Sequence, residues 1–335
     1  MFHKKFKSYA FSCFAVCVLF TTQSSLVFSN EPIKIRFSHV APEGSPKGLM
    51  ARKFQQLVKE RIGDDRVVVE VYPDSQLFND SNIGQELLDG NIEMAVPSMS
   101  KIKKYSPRFQ VMDLPFIFVT PEAASNFLRD GYGQRLMNLL NRHGLLGLGF
   151  FDHGMKQITS TKPIIAPEDM KGLTFRIVNS DVIESQYLQV GAKTTKQPYS
   201  KVYQLLKEKV FDGQENPWSN IFFKKFHEHQ PYMLESNHGY LGYMMMTSEK
   251  FWSSLPNDLR KELTVLVNEA LDYGNRVAKQ EESAAREKLI ASGLTDIHVM
   301  SLSEREKWVN AMKPIWKKYE DTIGSQLIQA AASSR

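Results

Sequence analysis

An arginine and an asparagine stand in the two segments of this sequence best suited to binding an anion. Arg176 follows Phe175 in an apolar stretch, and Asn216 directly precedes Pro217. A buried guanidinium is unfavourable unless a planar anion pairs with it, and a carboxylate fits its fork with two hydrogen bonds. Proline keeps the preceding residue extended, so the Asn216 amide can point from a strand end into a cleft. The pair predicts a site for a small carboxylate; a structural ion pair at Arg176 and a plain turn at Asn216 are the alternatives.

Further polar residues are candidates for contacts with the same ligand. Four stand at or just after the ends of predicted strands in the first half of the chain: His39, Lys47, Ser98 and Lys101. Ligands of open α/β sheets bind beyond the carboxyl ends of the strands, and either lysine could serve a second carboxylate. Three more offer an amide, an imidazole and a phenol beside glycines that permit close approach: Asn237, His238 and Tyr240. Exposure of the two lysines, and structural packing of the residues from Asn237 to Tyr240, are the alternatives.

Motifs for catalysis or for cofactors are incomplete. Ser98 and Lys101 match the S-x-x-K nucleophile motif, but its partner motifs S-D-N and K-T-G are absent from the sequence. His227 and His229 lack a third zinc ligand at helical spacing, and no Walker loop or dinucleotide fingerprint occurs. The sequence therefore predicts no enzyme and no cofactor or metal site. An exported hydrolase that uses Ser98 or the histidine pair is the alternative from a different functional class.

The N-terminal segment has the pattern of a secretory signal peptide. A lysine-rich start precedes an apolar run over residues 10–20, and cleavage is predicted after Ser29. Both cysteines, Cys13 and Cys17, lie in the removed segment, so the processed chain has no disulfide, thiolate or cysteine metal site. The prediction is a periplasmic protein that is not inserted in the membrane after cleavage. A lipoprotein attached through Cys17 and an uncleaved N-terminal anchor are the alternatives.

Charge and length narrow the range of partners. The chain has 42 Lys and Arg against 37 Asp and Glu, a formal charge of +5, and removal of Lys4, Lys5 and Lys7 leaves 39 against 37, or +2. Without a basic run, nucleic acid is not a predicted partner.

A processed chain of about 305 residues can bury a large core and usually forms two domains. A monomer is predicted, because no large apolar stripe is evident.

The order of predicted elements indicates an α/β fold. Strands and helices alternate from residue 33 to residue 96, which favours a mostly parallel sheet with helices on both faces. A second α/β unit follows from residue 145 without a Pro/Ser-rich linker, so crossing strands and not a tether should join the two. Residues 256–292 predict one long helix, with two helices kinked at Gly274 as the alternative. A capping box at Ser303 predicts the start of a C-terminal helix.

Several ordered segments resemble one family along nearly the whole processed chain. They are Phe37–Val40, Pro46–Gly48, Val69–Pro73, Asp113–Phe116, Met170–Arg176, Val210–Asn220 and Ser236–Tyr243. The sequence resembles the solute-binding proteins of tripartite ATP-independent periplasmic (TRAP) transporters, specifically the C4-dicarboxylate-binding DctP type. The resemblance implies a two-domain periplasmic binding protein fold, with hinge strands and a long helix that spans both domains. The implied domains are 30–153 with about 242–281, and 154–241 with about 282–335, after the signal peptide 1–29.

The resemblance also implies a function and roles for particular residues. An arginine in the position of Arg176 pairs with a ligand carboxylate, an asparagine in the position of Asn216 supports it, and Lys101 fits the dicarboxylate-binding branch. The expected function is capture of succinate, fumarate or malate by closure of a cleft, followed by delivery to TRAP-type membrane permease subunits. Another organic acid, such as a keto acid, sialic acid or sugar acid, is the alternative within the family. A chemosensory receptor without a role in transport is a further alternative.

Overall fold

The computed structural model describes residues 1–3 and 31–335. The predicted apolar core of the signal peptide, its cleavage site and both cysteines lie in residues 4–30, outside the described residues. Residues 1–3 form no regular element, and the account below concerns Pro32–Arg335. In the described part of the chain, no helix is both long enough and apolar enough to cross a membrane.

The elements alternate as the sequence predicts. The strands are β1 (Ile33–Ser38), β2 (Val67–Tyr72), β3 (Met94–Ala95), β4 (Leu145–Ser160), β5 (Thr174–Ile177), β6 (Lys193–Lys196), β7 (Gly213–Asn216), β8 (Tyr232–Ser248) and β9 (Asp296–Val299). The first helices are α1 (Pro46–Arg61), α2 (Ile83–Leu88), α3 (Met99–Ile102), α4 (Pro121–Arg129), α5 (Gly131–Asn138), α6 (Asp181–Gln189) and α7 (Val202–Lys207). The remaining helices are α8 (Trp218–Phe223), α9 (Glu249–Ser254), α10 (Asn257–Ser292), α11 (Leu302–Met312), α12 (Pro314–Lys318), α13 (Glu320–Ile323) and α14 (Ser325–Ser333).

One continuous sheet connects the two halves of the chain. Its strand order is β2-β1-β3-β8-β4-β7-β5-β6, and β9 pairs with β8 beside this path. β1 runs parallel to β2 and β3, and β5 runs parallel to β6 and β7. The long strands β4 and β8 pair antiparallel in the middle and join these two parallel groups. The predicted α/β architecture with crossing strands is confirmed.

Both strands that connect the two halves, β4 and β8, are longer than the apolar segments of sequence that predict them. The sequence predicts strands over residues 145–151 and 241–246, whereas β4 continues to Ser160 and β8 begins at Tyr232. The pairing of β4 with β8 shifts register three times, at Gly147/Gly149, Asp152/Gly154 and Lys156/Ile158. Irregularities of this kind bend a strand and increase its twist. The central pair therefore changes direction as it passes from one half of the sheet to the other.

The helix α10 runs unbroken for 36 residues and packs against α1, β4 and α8. The alternative of two helices kinked at Gly274 is wrong. A Cβ at Gly274 would lie 2.5 Å from Met50 Cγ and 3.1 Å from Phe151, so this glycine permits close packing. At about 1.5 Å per residue, such a helix is long enough to reach both halves of the chain.

The buried apolar residues form separate clusters in the two halves. One cluster joins α1, β1 and β2 to α10, and others surround β5, α6 and α8 in the second half. Trp308 and Met312 of α11 belong to the second half, but Ile315, Ile323 and Ile328 pack with the helices of the first half. We propose the domain boundaries given above with one change, in which the residues after Met312 belong to the first domain.

Candidate functional site

A small cavity lies where the two halves of the chain meet. Its volume is about 50 Å³, against the 10–15 Å³ or so that one water molecule needs by the same measure. The first half of the chain contributes Val40, Ala41, Ser75, Asn79, Asp80, Ser81, Ser98 and Lys101 to its lining. The rest of the lining is Lys156, Arg176, Val178, Pro198, Tyr199, Glu215, Asn216, Asn220, Leu241 and Tyr243. The cavity has room for a small polar molecule.

Arg176 reaches the cavity from β5 as a buried cation. Its side chain is 4% exposed, and its Nε and Nη2 donate to the Gln197 carbonyl at 3.0 and 2.7 Å. No carboxylate of the described residues forms an ion pair with it, so the structural ion pair considered from the sequence is absent there. Burial lowers the pKa of Arg176 to about 10. The guanidinium is thus held on one side by a neutral carbonyl and forms no ion pair with any of the described residues.

Lys101 and Ser98 line the same cavity from the first half of the chain. Ser98 precedes α3 and Lys101 lies in its single turn, so the S-x-x-K spacing puts both on one side of that turn. Burial lowers the pKa of Lys101; Asp80 raises it, and the charge of Arg176 lowers it further. In the described residues, the Lys101 ammonium has no ion-pair partner. Lys101 is therefore a second cation at the cavity that forms no ion pair within the described residues, although the charge of Asp80 acts on it without direct contact.

A buried ion pair between Lys156 and Glu215 also lines the cavity. The sequence analysis does not predict either residue as part of the site. Lys156 Nζ lies 2.8 Å from Glu215 Oε1, and both side chains are below 5% exposure. His238 Nε2 contacts the other oxygen of Glu215 at 2.9 Å, and its Nδ1 contacts Ser236 Oγ at 2.7 Å. Burial alone would raise the pKa of Glu215, but Lys156 and His238 outweigh it and lower the pKa to about 2. His238 thus acts on the cavity through Glu215 and does not line it.

Asn216 ends β7, next to β5, as its position before proline predicts. β7 and β5 pair in parallel, with Arg176 opposite Gln214, which brings Asn216 to the same wall as Arg176. Its Nδ2 donates to Gln214 Oε1, and its Oδ1 accepts a hydrogen bond of 3.0 Å from Asn220 Nδ2. The sequence predictions at Arg176 and Asn216 therefore converge on one place in the fold.

Lys47 and His39 lie behind the cavity and do not line it. Lys47 Nζ is 3.3 Å from the ring centre of Tyr243, a lining residue, and donates to the Val96 carbonyl at 3.1 Å. Burial lowers the pKa of Lys47 to about 8, with Asp80 opposing the shift. His39 is 1% exposed, and neither ring nitrogen has a hydrogen-bond partner in the described residues. Exposure, the alternative considered for Lys47, is excluded by its 1% exposed fraction.

The lowered pKa of Lys47 predicts a pH dependence of stability. The unfolded chain binds a proton at Lys47 up to about pH 10.5, whereas the folded protein releases it near pH 8. The unfolded state therefore holds more protons in this range, and the free energy of unfolding should rise with pH. Between pH 8 and 9.5, wild type should gain about 1–2 kcal/mol more than Lys47→Met in urea titrations. Equal gains in both proteins would show that Lys47 carries no buried charge.

The structure does not bring Asn237 and Tyr240 to this cavity. The Tyr240 hydroxyl donates to Asp152 Oδ1 at 2.6 Å, and Asn237 Oδ1 accepts from Gln157 Nε2 at 2.8 Å. Side chains of a strand alternate between its faces, so Tyr240 points away from the face on which Leu241 and Tyr243 line the cavity. The geometry thus favours structural packing, the alternative considered for these two residues.

The charges of the lining suit an anion. The lining holds three cations and two carboxylates: Lys101, Lys156, Arg176, Asp80 and Glu215. With all of them ionised the lining carries one net positive charge, and Lys47 adds another behind Tyr243. Since Lys156 is already paired with Glu215, Lys101 and Arg176 are the cations available to a ligand. The arrangement can bind a molecule with two acidic groups.

Comparison with known proteins identifies the class to which this site belongs. Residues 37–322 match the family of bacterial extracellular solute-binding proteins, family 7 (DctP), and the chain belongs to this family. It is 44% identical to the C4-dicarboxylate-binding periplasmic protein DctP of Shewanella loihica over 303 residues, which cover 90% of either chain. The resemblance inferred from the sequence motifs is confirmed.

Solved structures of similar proteins show the same fold. A TRAP periplasmic solute-binding protein from Shewanella oneidensis, with bound succinate, gives a TM-score of 0.89 at 43% identity, covering 90% of this chain and 99% of its own. A second TRAP periplasmic solute-binding protein, from Pseudomonas aeruginosa with bound L-malate, gives a TM-score of 0.83 at 38% identity. The match covers 86% of this chain and 100% of its own. The two-domain periplasmic binding protein fold predicted from the sequence is confirmed.

Proposed function

We propose that this protein captures a C4-dicarboxylate (succinate, fumarate or malate) in the periplasm and delivers it to TRAP-type membrane permease subunits. The observation that carries the proposal is that Arg176 and Lys101, two cations that form no ion pair within the described residues, reach one small cavity from the two halves of the chain. Each can pair with one carboxylate of the ligand. The succinate and L-malate bound by the solved relatives support the same class of ligand.

Discrimination would follow from the burial of these charges. A monocarboxylate would leave one buried cation without a partner, and an unpaired buried charge is strongly unfavourable. Closure of the two domains would expel water and strengthen both ion pairs in the lower dielectric. Ligand binding would shift the population towards the closed form, whose surface the permease would recognise. Asn216 would hold the carboxylate that pairs with Arg176.

Calorimetric titration of the processed protein, refolded without carried-over ligand, tests the proposal. Succinate, fumarate, malate and a sialic acid are titrated in turn, with butyrate as the monocarboxylate control. Micromolar or tighter binding of a C4-dicarboxylate, and much weaker binding of butyrate, is the expected result. Heat with the sialic acid alone would assign the receptor to the larger organic acids and would contradict the roles of both cations.

The hydrolase considered from the sequence has no support in the site. The Ser98 hydroxyl makes no hydrogen bond to an imidazole or to Lys101 within the described residues, as a nucleophile activated by a base would. His227 stacks on Phe222 at 5.9 Å between ring centres, and His229 packs against Tyr203 at 5.0 Å. These contacts use the histidines for packing.

An ion pair between the two proposed domains should contribute to closure. Lys224, after α8, pairs with Asp74, next to the lining residue Ser75. Since Asp74 is 45% exposed, Asp74→Asn should weaken succinate binding only about two- to fivefold at low salt. The loss should shrink as added salt screens the pair. Calorimetry at two salt concentrations measures the loss of succinate affinity. The control is Asp64→Asn, which breaks an exposed ion pair with Lys59. If Asp74→Asn and Asp64→Asn bound succinate with equal affinity, the Lys224–Asp74 pair would not contribute to closure.

A further inference from the structure

A buried carboxylate connects the helix that carries Lys101 to the turn that follows Arg176. Asp113 is 4% exposed and ends a 3₁₀ segment that begins at Pro107. Ser100 Oγ donates to its Oδ1 at 2.6 Å, and Ser180 Oγ donates to its Oδ2 at 2.7 Å. Both carboxylate oxygens are thus used to join two elements that are far apart in sequence.

The two serines are close in sequence to the two cations of the site. Ser100 directly precedes Lys101 in α3, and Ser180 is the N-cap of α6, four residues after Arg176. The intervening Val178 itself lines the cavity. Any shift of α3 relative to this turn therefore changes the distance between the two cations.

Side-chain contacts must determine the position of α3. The helix has only four residues, too few to be stable without tertiary contacts. Met99 and Ile102 pack α3 into the apolar core of the first half. A second contact comes from Lys103, the residue that follows α3. Lys103 pairs with Asp181, the first residue of α6, at 2.7 Å. Asp181 is 52% exposed, so its pair with Lys103 is weak, and the buried Asp113 contact is the stronger of the two polar links between α3 and the start of α6.

We propose that Asp113 is a positioning residue that, through Ser100 and Ser180, sets the separation of Lys101 and Arg176 and so selects dicarboxylates by chain length. The inference rests on the function proposed above. Good hydrogen-bond lengths span only about 0.5 Å, so two cations at a fixed separation favour one spacing of carboxylates. Loosening the Asp113 contact should let a longer acid fit and should weaken this preference.

Ser100→Ala is the variant that tests this most cleanly. The Ser100 hydroxyl bonds to Asp113 alone, whereas Ser180 also caps α6, and replacing Asp113 would remove the hydrogen bonds of both serines at once. Ser125→Ala is the matched control, because Ser125 Oγ donates to Asp152, a carboxylate that also accepts from Tyr240. Neither Ser125 nor Asp152 lines the cavity between the two halves.

Calorimetry gives the dissociation constants of succinate and glutarate for wild type and both variants, and thermal unfolding gives their stabilities. Wild type should prefer succinate by about tenfold or more, the usual effect of one misfitting methylene. Ser100→Ala should reduce that preference to about threefold or less, while Ser125→Ala should keep it within about twofold of wild type. The melting temperature of both variants should fall by similar amounts.

Other outcomes would overturn the inference. A lower melting temperature of Ser100→Ala with an unchanged preference would make Asp113 a purely structural residue. An equal loss of preference in both variants would show general loosening of the fold. If wild type bound neither acid, the proposed function would fail, and this inference would fail with it.

Discussion

Arg176→Met should weaken succinate binding by at least about thirtyfold, equivalent to about 2 kcal/mol. The substitution removes the cation that reaches the cavity from β5 and lacks an anionic partner, and it leaves one ligand carboxylate without a partner. Calorimetric titration of the ligand-free variant measures the loss. Arg36→Met is the control, because Arg36 lies on β1, pairs with Glu93 and does not line the cavity. A variant at Arg176 with wild-type affinity would remove this residue from the site.

The same substitution should leave the ligand-free fold largely intact. Burial of the Arg176 charge is unfavourable in the absence of ligand, because desolvation outweighs the attraction of Glu215 and lowers the pKa of Arg176. Methionine removes this penalty but leaves the Gln197 carbonyl without its donors. Because the two effects oppose each other, the free energy of unfolding should change by less than about 2 kcal/mol. Urea unfolding of the ligand-free variant checks this and separates loss of binding from loss of structure.

Glu215→Gln should destabilise the protein by about 3–5 kcal/mol at pH 7. The substitution leaves Lys156, 4% exposed and 2.8 Å from the carboxylate, as a buried charge without its partner. Urea unfolding of wild type, both single variants and the double variant Glu215→Gln with Lys156→Met measures the coupling between the two residues. The double variant should be more stable than the sum of the single losses predicts. A loss below about 1 kcal/mol in Glu215→Gln would contradict the strength of the pair.

The stabilisation by Glu215 should also depend on pH. The pKa of Glu215 is lowered to about 2 in the folded protein, from about 4.5 in the unfolded chain. The contribution is therefore complete above pH 4.5 and is lost as the pH falls towards 2, because the unfolded chain binds the proton first. Between pH 5 and 3, the unfolding free energy of Glu215→Gln should fall less than that of wild type. Parallel curves would show that another group dominates the acid sensitivity.

The sequence predicts the positions of Arg176 and Asn216 well, because local patterns determine them. Arg176 in an apolar strand and Asn216 before a proline each have a local signature, and the pairing of β5 with β7 puts them together. The capping box shows the limit of such patterns, since Ser301 and Ser303 both precede a glutamate by three residues. The sequence pattern predicts Ser303 as the cap, but Ser301 is the cap, because its hydroxyl accepts from the Glu304 amide at 3.3 Å and Glu304 accepts from the Ser301 amide.

The rest of the site depends on contacts between distant segments. Lys156 lies beyond the apolar run that predicts β4 and Glu215 lies in the polar strand β7, yet both are buried because each pairs with the other. A lysine inside an apolar strand is itself a signal that a carboxylate must face it, and this signal could have found the pair. Lys47 is buried over Tyr243, which is nearly two hundred residues away, and no local pattern indicates such a contact.

The two cations without partners also make the stability of the receptor depend on its ligand. A dicarboxylate would supply the direct ion-pair partners that the described residues do not give to Arg176 and Lys101. By mass action, free ligand at about one hundred times its dissociation constant stabilises a protein by about 2.7 kcal/mol. A receptor in a solute-rich environment would therefore unfold and be degraded more slowly than the same receptor in a starved cell. The abundance of the protein would follow the supply of its solute without any change in gene expression.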